Sequence, residues 1–228
     1  MLQTAPSLTE QIYEAIVDEI CDGRLAPGQH LVQESLARRF GVSRQPVQQA
    51  MARLKADAMV EVAGRRGLCV APLDLDRMRQ HYGVRAALDG WSARVAAARV
   101  AEDPALAGDV AARGRAILAA GEGAVASGDV VEQVHCDRAF HVLLHEATGN
   151  PLIARTAEPH WRFLRRAMGD VLRRAERPST LWRQHAEILE AVLAGDAAAA
   201  ERRALAHVDH AAERLARALD GAGTGGAP

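Results

Sequence analysis

At 228 residues with a net charge of −1, 49% apolar and 25% charged, the chain has room for two modest globular domains, each with its own core. No apolar run reaches the ~18 residues of a membrane span, and the first residues lack the basic-then-apolar order of an export signal. Three cysteines (Cys21, Cys69, Cys136) without a C-x-x-C give no disulfide framework, so the expected compartment is the cytoplasm, with no membrane partner.

Leu8 to Asp22 reads as a first helix, with Thr9 as its cap and Ile12, Ile16 and Ile20 on one face. Ser35 to Leu54 then holds two short helices around Phe40-Gly41-Val42. Gly41 suits a sharp helix exit because it lacks a Cβ. Ser43 can cap the next helix, and Pro46 falls in its first turn, where no backbone donor is lost. Val47, Ala50, Met51 and Leu54 recur at helical spacing and form a buried stripe. The opposite face offers Gln45, Gln48 and Gln49, with Arg44 at the helix start. Seven Lys/Arg stand against three Asp/Glu between Leu31 and Val70, a local surplus that favours phosphate.

Met59 to Val62 and Leu68 to Val70 flank a Gly-bounded basic loop and read as a β-hairpin. Three helices and a hairpin make a winged helix-turn-helix. Its expected DNA contacts are Ser43, Arg44, Gln45 and Gln48 on the reading helix, with Arg38, Arg39 and the wing-tip Arg65 and Arg66 on the sugar-phosphate backbone.

Beyond Pro72 the chain reads as six helices, so the fold class is mainly α: a winged helix-turn-helix followed by an all-α bundle. The expected boundaries are 1–72, a linker at 73–76, the bundle at 77–220 and a disordered tail at 221–228. Asp137 and His141 lie one turn apart on a face that also carries Phe140 and Leu144. An ionised carboxylate on an apolar stripe is costly unless it is paired. His185 shares a stripe with Ile188, Leu189 and Val192, and His207 sits at the edge of another. Three helices could thus converge one carboxylate and three imidazoles on a divalent transition metal. His145 and His210, close to these positions, are rival ligands that periodicity does not exclude.

These residues carry a resemblance. The run L-A-P-G-x-x-L, then L-A-x-x-F-G-V-S-R-x-P-V-x-x-A, then a closing hairpin, resembles the winged helix of GntR-family transcription regulators. The second half resembles the six-helix FCD domain of the FadR-type subgroup. Its markers are Val84 to Asp89; Asp137-x-x-Phe140-His141 followed by Gly149-Asn150-Pro151; and His185 followed by Gly195-Asp196 and His207.

The resemblance implies a homodimer that binds double-stranded DNA at short palindromes, and an FCD domain that dimerises and holds a small organic (carboxylic or sugar) acid. It implies zinc or nickel on Asp137, His141, His185 and His207, with Arg85 contacting the effector. The family's usual Arg-Glu is replaced here by Gln48-Gln49, which predicts an altered operator. The usual Glu of the first FCD helix is Asp89. The reading that follows is a metabolite-responsive regulator, a repressor and not an enzyme. The alternative is a metal-dependent hydrolase or oxygenase fused to a DNA-binding arm. It lacks an H-E-x-x-H and a carboxylate placed as general base.

Overall fold

The computed structural model describes residues 6–64, 67–174 and 179–223. The chain divides into two compact units, with the boundary between Asp74 and Leu75.

The first unit comprises α1 (Leu8–Cys21), β1 (His30–Leu31), α2 (Gln33–Phe40), α3 (Arg44–Ala56), β2 (Val60–Ala63) and β3 (Gly67–Val70). Its core joins Ile12, Tyr13, Ile16 and Ile20 of α1 to Val47, Ala50, Met51 and Leu54 of α3. Each such large side chain contributes about 1.5–3 kcal/mol relative to exposure. Gly41 takes the left-handed conformation at φ 66°, which frees α3 to leave α2 at a sharp angle.

Three details depart from the sequence expectation. Ser7, not Thr9, caps α1 by accepting the Glu10 amide, while Thr9 Oγ1 donates to Gln49 Oε1 at 2.8 Å. Ser43 holds the N-cap position of α3, but its hydroxyl makes no capping hydrogen bond. A third strand is present: β1 pairs antiparallel with β3, giving the order β1-β3-β2. Arg65 and Arg66, expected at the wing tip, lie outside the described residues.

The second unit comprises α4 (Leu75–Glu102), α5 (Pro104–Ser127), α6 (Val130–Ala147), α7 (Pro151–Arg174), α8 (Ser179–Leu193) and α9 (Ala197–Gly223). Helix α4 begins inside the stretch read as a linker, because Leu75 already belongs to its first turn. Helix α9 runs past residue 220 to Gly223, and 224–228 lie outside the described residues. The side chains of Asp103 and Asp129 cap α5 and α6 by accepting amides of the first turn.

Helix α4 packs against α6, α7, α8 and α9. This is possible because its inner face is rich in small residues: Gly90, Ser92, Ala93, Ala96 and Ala97 are all buried. Gly121 of α5 likewise leaves room for the Trp182 ring, which a Cβ there would strike. Phe140 and Leu144 of α6 share one buried cluster with Ile188 and Val192 of α8, and Phe140 reaches the polar group at His185, 4.5 Å between ring centroids.

Candidate metal centre and DNA-binding face

Asp137 and His141 project inward from α6, His185 from α8 and His207 from α9, and each is at most 1% exposed. One potential ligand atom from each lies within 4.8 Å of every other. Around a shared ion at ~2.1 Å, ligands stand at most ~4.2 Å apart, so an adjustment of a few tenths of an ångström per ligand would close the set.

The surroundings set the tautomers and charges of these groups. His141 Nδ1 lies 2.9 Å from Asp89 Oδ2, and Arg85 Nη2, which can only donate, lies 2.6 Å from Nε2, so the proton belongs on Nδ1 and Nε2 keeps its lone pair. His207 Nδ1 faces Gln184 Oε1 at 3.2 Å, leaving Nε2 buried without a partner. Asp137 Oδ1 makes no well-aligned hydrogen bond, although His185 Nε2 is 3.2 Å away.

Burial lowers the His141 imidazole to about 4, helped by Arg85 and opposed by Asp89. Burial, with His185 and His141 beside it, holds His207 well below its usual range. Burial alone would push the Asp137 carboxyl up, but Arg85, His185 and His141 outweigh it and hold it well below the carboxylate range. Neutral imidazoles and an ionised carboxylate are the protonation states that a transition metal requires.

The rival ligands separate from the cluster. His145 Nε2 lies 2.7 Å from Asp89 Oδ1, and His210 Nδ1 faces Gln184 Nε2 at 3.1 Å on the exposed side. Asp89, whose partner the sequence left open, therefore has three: His141, His145, and Arg85 through Nε at 3.0 Å. Gln184 and Trp161 escaped sequence reasoning as well. The Trp161 ring lies 4.3 Å from the Arg85 guanidinium carbon, a cation–π distance.

In the first unit, Ser43, Arg44, Gln45 and Gln48 are all exposed, as are Arg38 and Arg39. A groove of about 550 Å3 between α3 and the wing is lined by Arg44, Gln48, Glu34, His30 and Val62. Arg44 pairs with Glu34 at 3.1 Å, and both are well exposed. Arg39 pairs with Glu19 at 3.0 Å. Gln49 is engaged by Thr9, which leaves Gln48 as the glutamine of α3 that lines the groove. Glu34 and His30 were not foreseen there. Both lie just ahead of the basic stretch, and a two-residue strand gives little sequence signal for the side that His30 faces.

A winged helix with an exposed arginine-led reading helix, followed by a bundle of this kind, defines a DNA-binding transcription regulator. Residues 8–70 match the model of bacterial regulatory proteins of the gntR family, and residues 80–210 match the FCD domain. The chain is 26% identical over 216 residues to the uncharacterized HTH-type transcriptional regulator YdhC of Bacillus subtilis, covering 92% of each. It is 26% identical over 214 residues to the HTH-type transcriptional repressor RspR of Escherichia coli, covering 94% of this chain and 91% of that one. The solved structure of E. coli McbR/YncC shares the fold, with a TM-score of 0.77 at 19% identity over 93% of this chain and 99% of that one.

The chain belongs to the GntR family, with an FCD domain as its second unit. Its relatives are transcriptional regulators, not enzymes, which removes the hydrolase or oxygenase alternative. No helix among the described residues is long and apolar enough to cross a membrane.

Proposed function

We propose that this protein is a metabolite-responsive repressor in which Asp137, His141, His185 and His207 hold a divalent transition metal, zinc or nickel, and a small organic acid binds beside it. The convergence of four buried ligand atoms from three helices carries this reading. The metal, when bound, supplies Lewis-acidic open positions for a carboxylate. Around it, Asp89 and Gln184 fix the tautomers of His141 and His207. Arg85 offers a guanidinium suited to a second acidic oxygen.

Repression follows the function stated for the E. coli relative RspR. The proposed working form is a cytoplasmic homodimer on a palindromic operator. Val84, Leu88, Trp91 and Val95 support it as a partly exposed apolar stripe along α4. In each half-site Arg44 meets a guanine or phosphate, Ser43, Gln45 and Gln48 face base edges, and Arg38, Arg39, Arg65 and Arg66 hold the backbone. Acid binding in the bundle then changes how well the two reading helices engage their half-sites together.

A thermal-shift screen of carboxylic and sugar acids on metal-assayed protein, followed by operator binding with each hit, tests the reading. The expected result is an acid that raises Tm only in metal-loaded protein and changes DNA affinity. Stabilisation that is equal after chelation would reject the metal-borne receptor.

A further inference from the structure

The His141 Nε2 lone pair is contested, with His185 Nε2 3.3 Å away and two stronger claimants. Arg85 Nη2 lies 2.6 Å from it and donates into it, and the proposed metal site needs the same lone pair. A neutral imidazole has only one acceptor nitrogen. The guanidinium can only donate, so Nε2 is that acceptor and the proton sits on Nδ1, 2.9 Å from Asp89 Oδ2; Nε2 cannot serve both. Asp137 is not limited in this way: Arg85 Nη2 reaches its Oδ2 at a long 3.4 Å, and Oδ1 remains open.

We propose that Arg85 guards His141 Nε2 and that metal uptake displaces the guanidinium from it. This rests on the metal reading above and adds an order of events to it. Three features support a guanidinium that can turn rather than one locked in place. Its Nε stays on Asp89 Oδ2 at 3.0 Å, a pivot that does not involve His141 Nε2. Its Nη1 is buried without any hydrogen bond, a donor held in reserve. Beside it lies a small cavity of about 10 Å3 bounded by Arg85, Asp89, Trp161 and Leu164, about the room of one water. Turning about Nε into that space keeps the charge next to Asp89 and over Trp161.

The unusual consequence is that removing a buried arginine should tighten metal binding. The test measures the affinity of full-length wild type, Arg85→Met and Arg85→Lys for Zn2+ alone, by competition with a chromophoric chelator. Tryptophan emission is recorded in a Trp91→Phe, Trp182→Phe background so that Trp161 reports alone.

The expected result for Arg85→Met is Zn2+ binding tighter by about 10-fold or more, the scale of groups that act on ligands from outside the coordination shell. Trp161 also lies 5.4 Å from His141 between ring centroids, so Zn2+ should change its emission in both proteins, and by more when Arg85 is present than in Arg85→Met. Arg85→Lys, which keeps the charge but not the fork, is the second variant should Arg85→Met fail to fold, and is expected to bind Zn2+ more tightly than wild type. Unchanged or weaker Zn2+ binding in the folded variants, or a silent Trp161 in wild type, overturns the competition while leaving the metal reading intact. Failure of wild type and variants alike to bind Zn2+ overturns both.

Discussion

Gln184 holds His207 by its amide oxygen: Oε1 faces His207 Nδ1 at 3.2 Å while the Nε2 of the same amide faces His210 Nδ1 at 3.1 Å. The second contact orients the first, because an amide that donates to His210 must turn its carbonyl to His207. His207 therefore keeps its proton on Nδ1 and offers Nε2 to the cluster. Gln184→Leu should weaken Zn2+ binding by about 10–100-fold with little change in fold. Isothermal titration checks this, and wild-type affinity in that variant would show that His207 needs no such partner.

The two kinds of arginine on the DNA-binding face should separate by salt. Arg44→Ala, at the start of the reading helix, is expected to cost about 1–3 kcal/mol on the operator and to relax discrimination at one base step. Arg38→Ala should weaken all sequences alike and lower the log–log salt slope by about 1. Losing the Arg44–Glu34 pair should itself matter little to stability, because both side chains are mostly in water. Fluorescence anisotropy across a salt series would tell the two apart, and an Arg44→Ala protein with unchanged operator affinity would remove Arg44 from the reading face.

Acid should destabilise the bundle through His81. Its ring stacks on Phe163 at 4.3 Å between centroids, and its Nδ1 is 3.0 Å from His160 Nδ1. Burial, then His160 and Arg77, lower it to about 4 from 6.5, and burial lowers His160 as well. Between those values the unfolded chain binds more protons than the folded one, so stability falls as pH drops from about 6.5 to about 4. Above that window both states are neutral at His81, and the contribution is complete. Melting curves of wild type and His81→Gln from pH 7.5 to 4.5 test the sign: the variant should lose less Tm over the window, and an equal loss would contradict the assignment.

Gly121 should not tolerate a methyl group. In an exposed helix interior, Gly→Ala gains about 1 kcal/mol of helix propensity. Here the added Cβ would strike the Trp182 ring, and overpacking costs about 1–3 kcal/mol. The clash should win, so Gly121→Ala is expected to lower Tm. Because Trp182 lies 4.9 Å from His185 between ring centroids, it should lower metal affinity too. A raised Tm would show that the ring can move aside.

The sequence was readable wherever one element sufficed. The Val47–Leu54 stripe follows from a period of 3.6 residues. Asp137, His141, His185 and His207 were conspicuous because polar groups on apolar stripes need partners. What needed a second element was hidden. His145 is one turn beyond His141 and equally inward by periodicity; only the position of α4 takes it to Asp89, 56 residues away. Gln184 adjoins His185 and would be expected to face elsewhere, but α9 packs on that side too. Strand β1 is two residues long and shows no alternation to detect, although its pairing with Leu68 and Cys69 decides that His30 faces the groove. Ser7 and Thr9 are both acceptable caps by residue type, and the choice depends on which one α3 recruits through Gln49.

The most direct test of the central claim is the metal content of full-length protein by mass spectrometry, compared between wild type and His207→Ala after identical dialysis. A receptor built on these four side chains predicts about one transition-metal ion per chain in wild type and a large loss in the variant, with the fold preserved by circular dichroism. A wild type free of metal that still cannot be loaded with zinc or nickel, or a variant that retains its full complement, would contradict it.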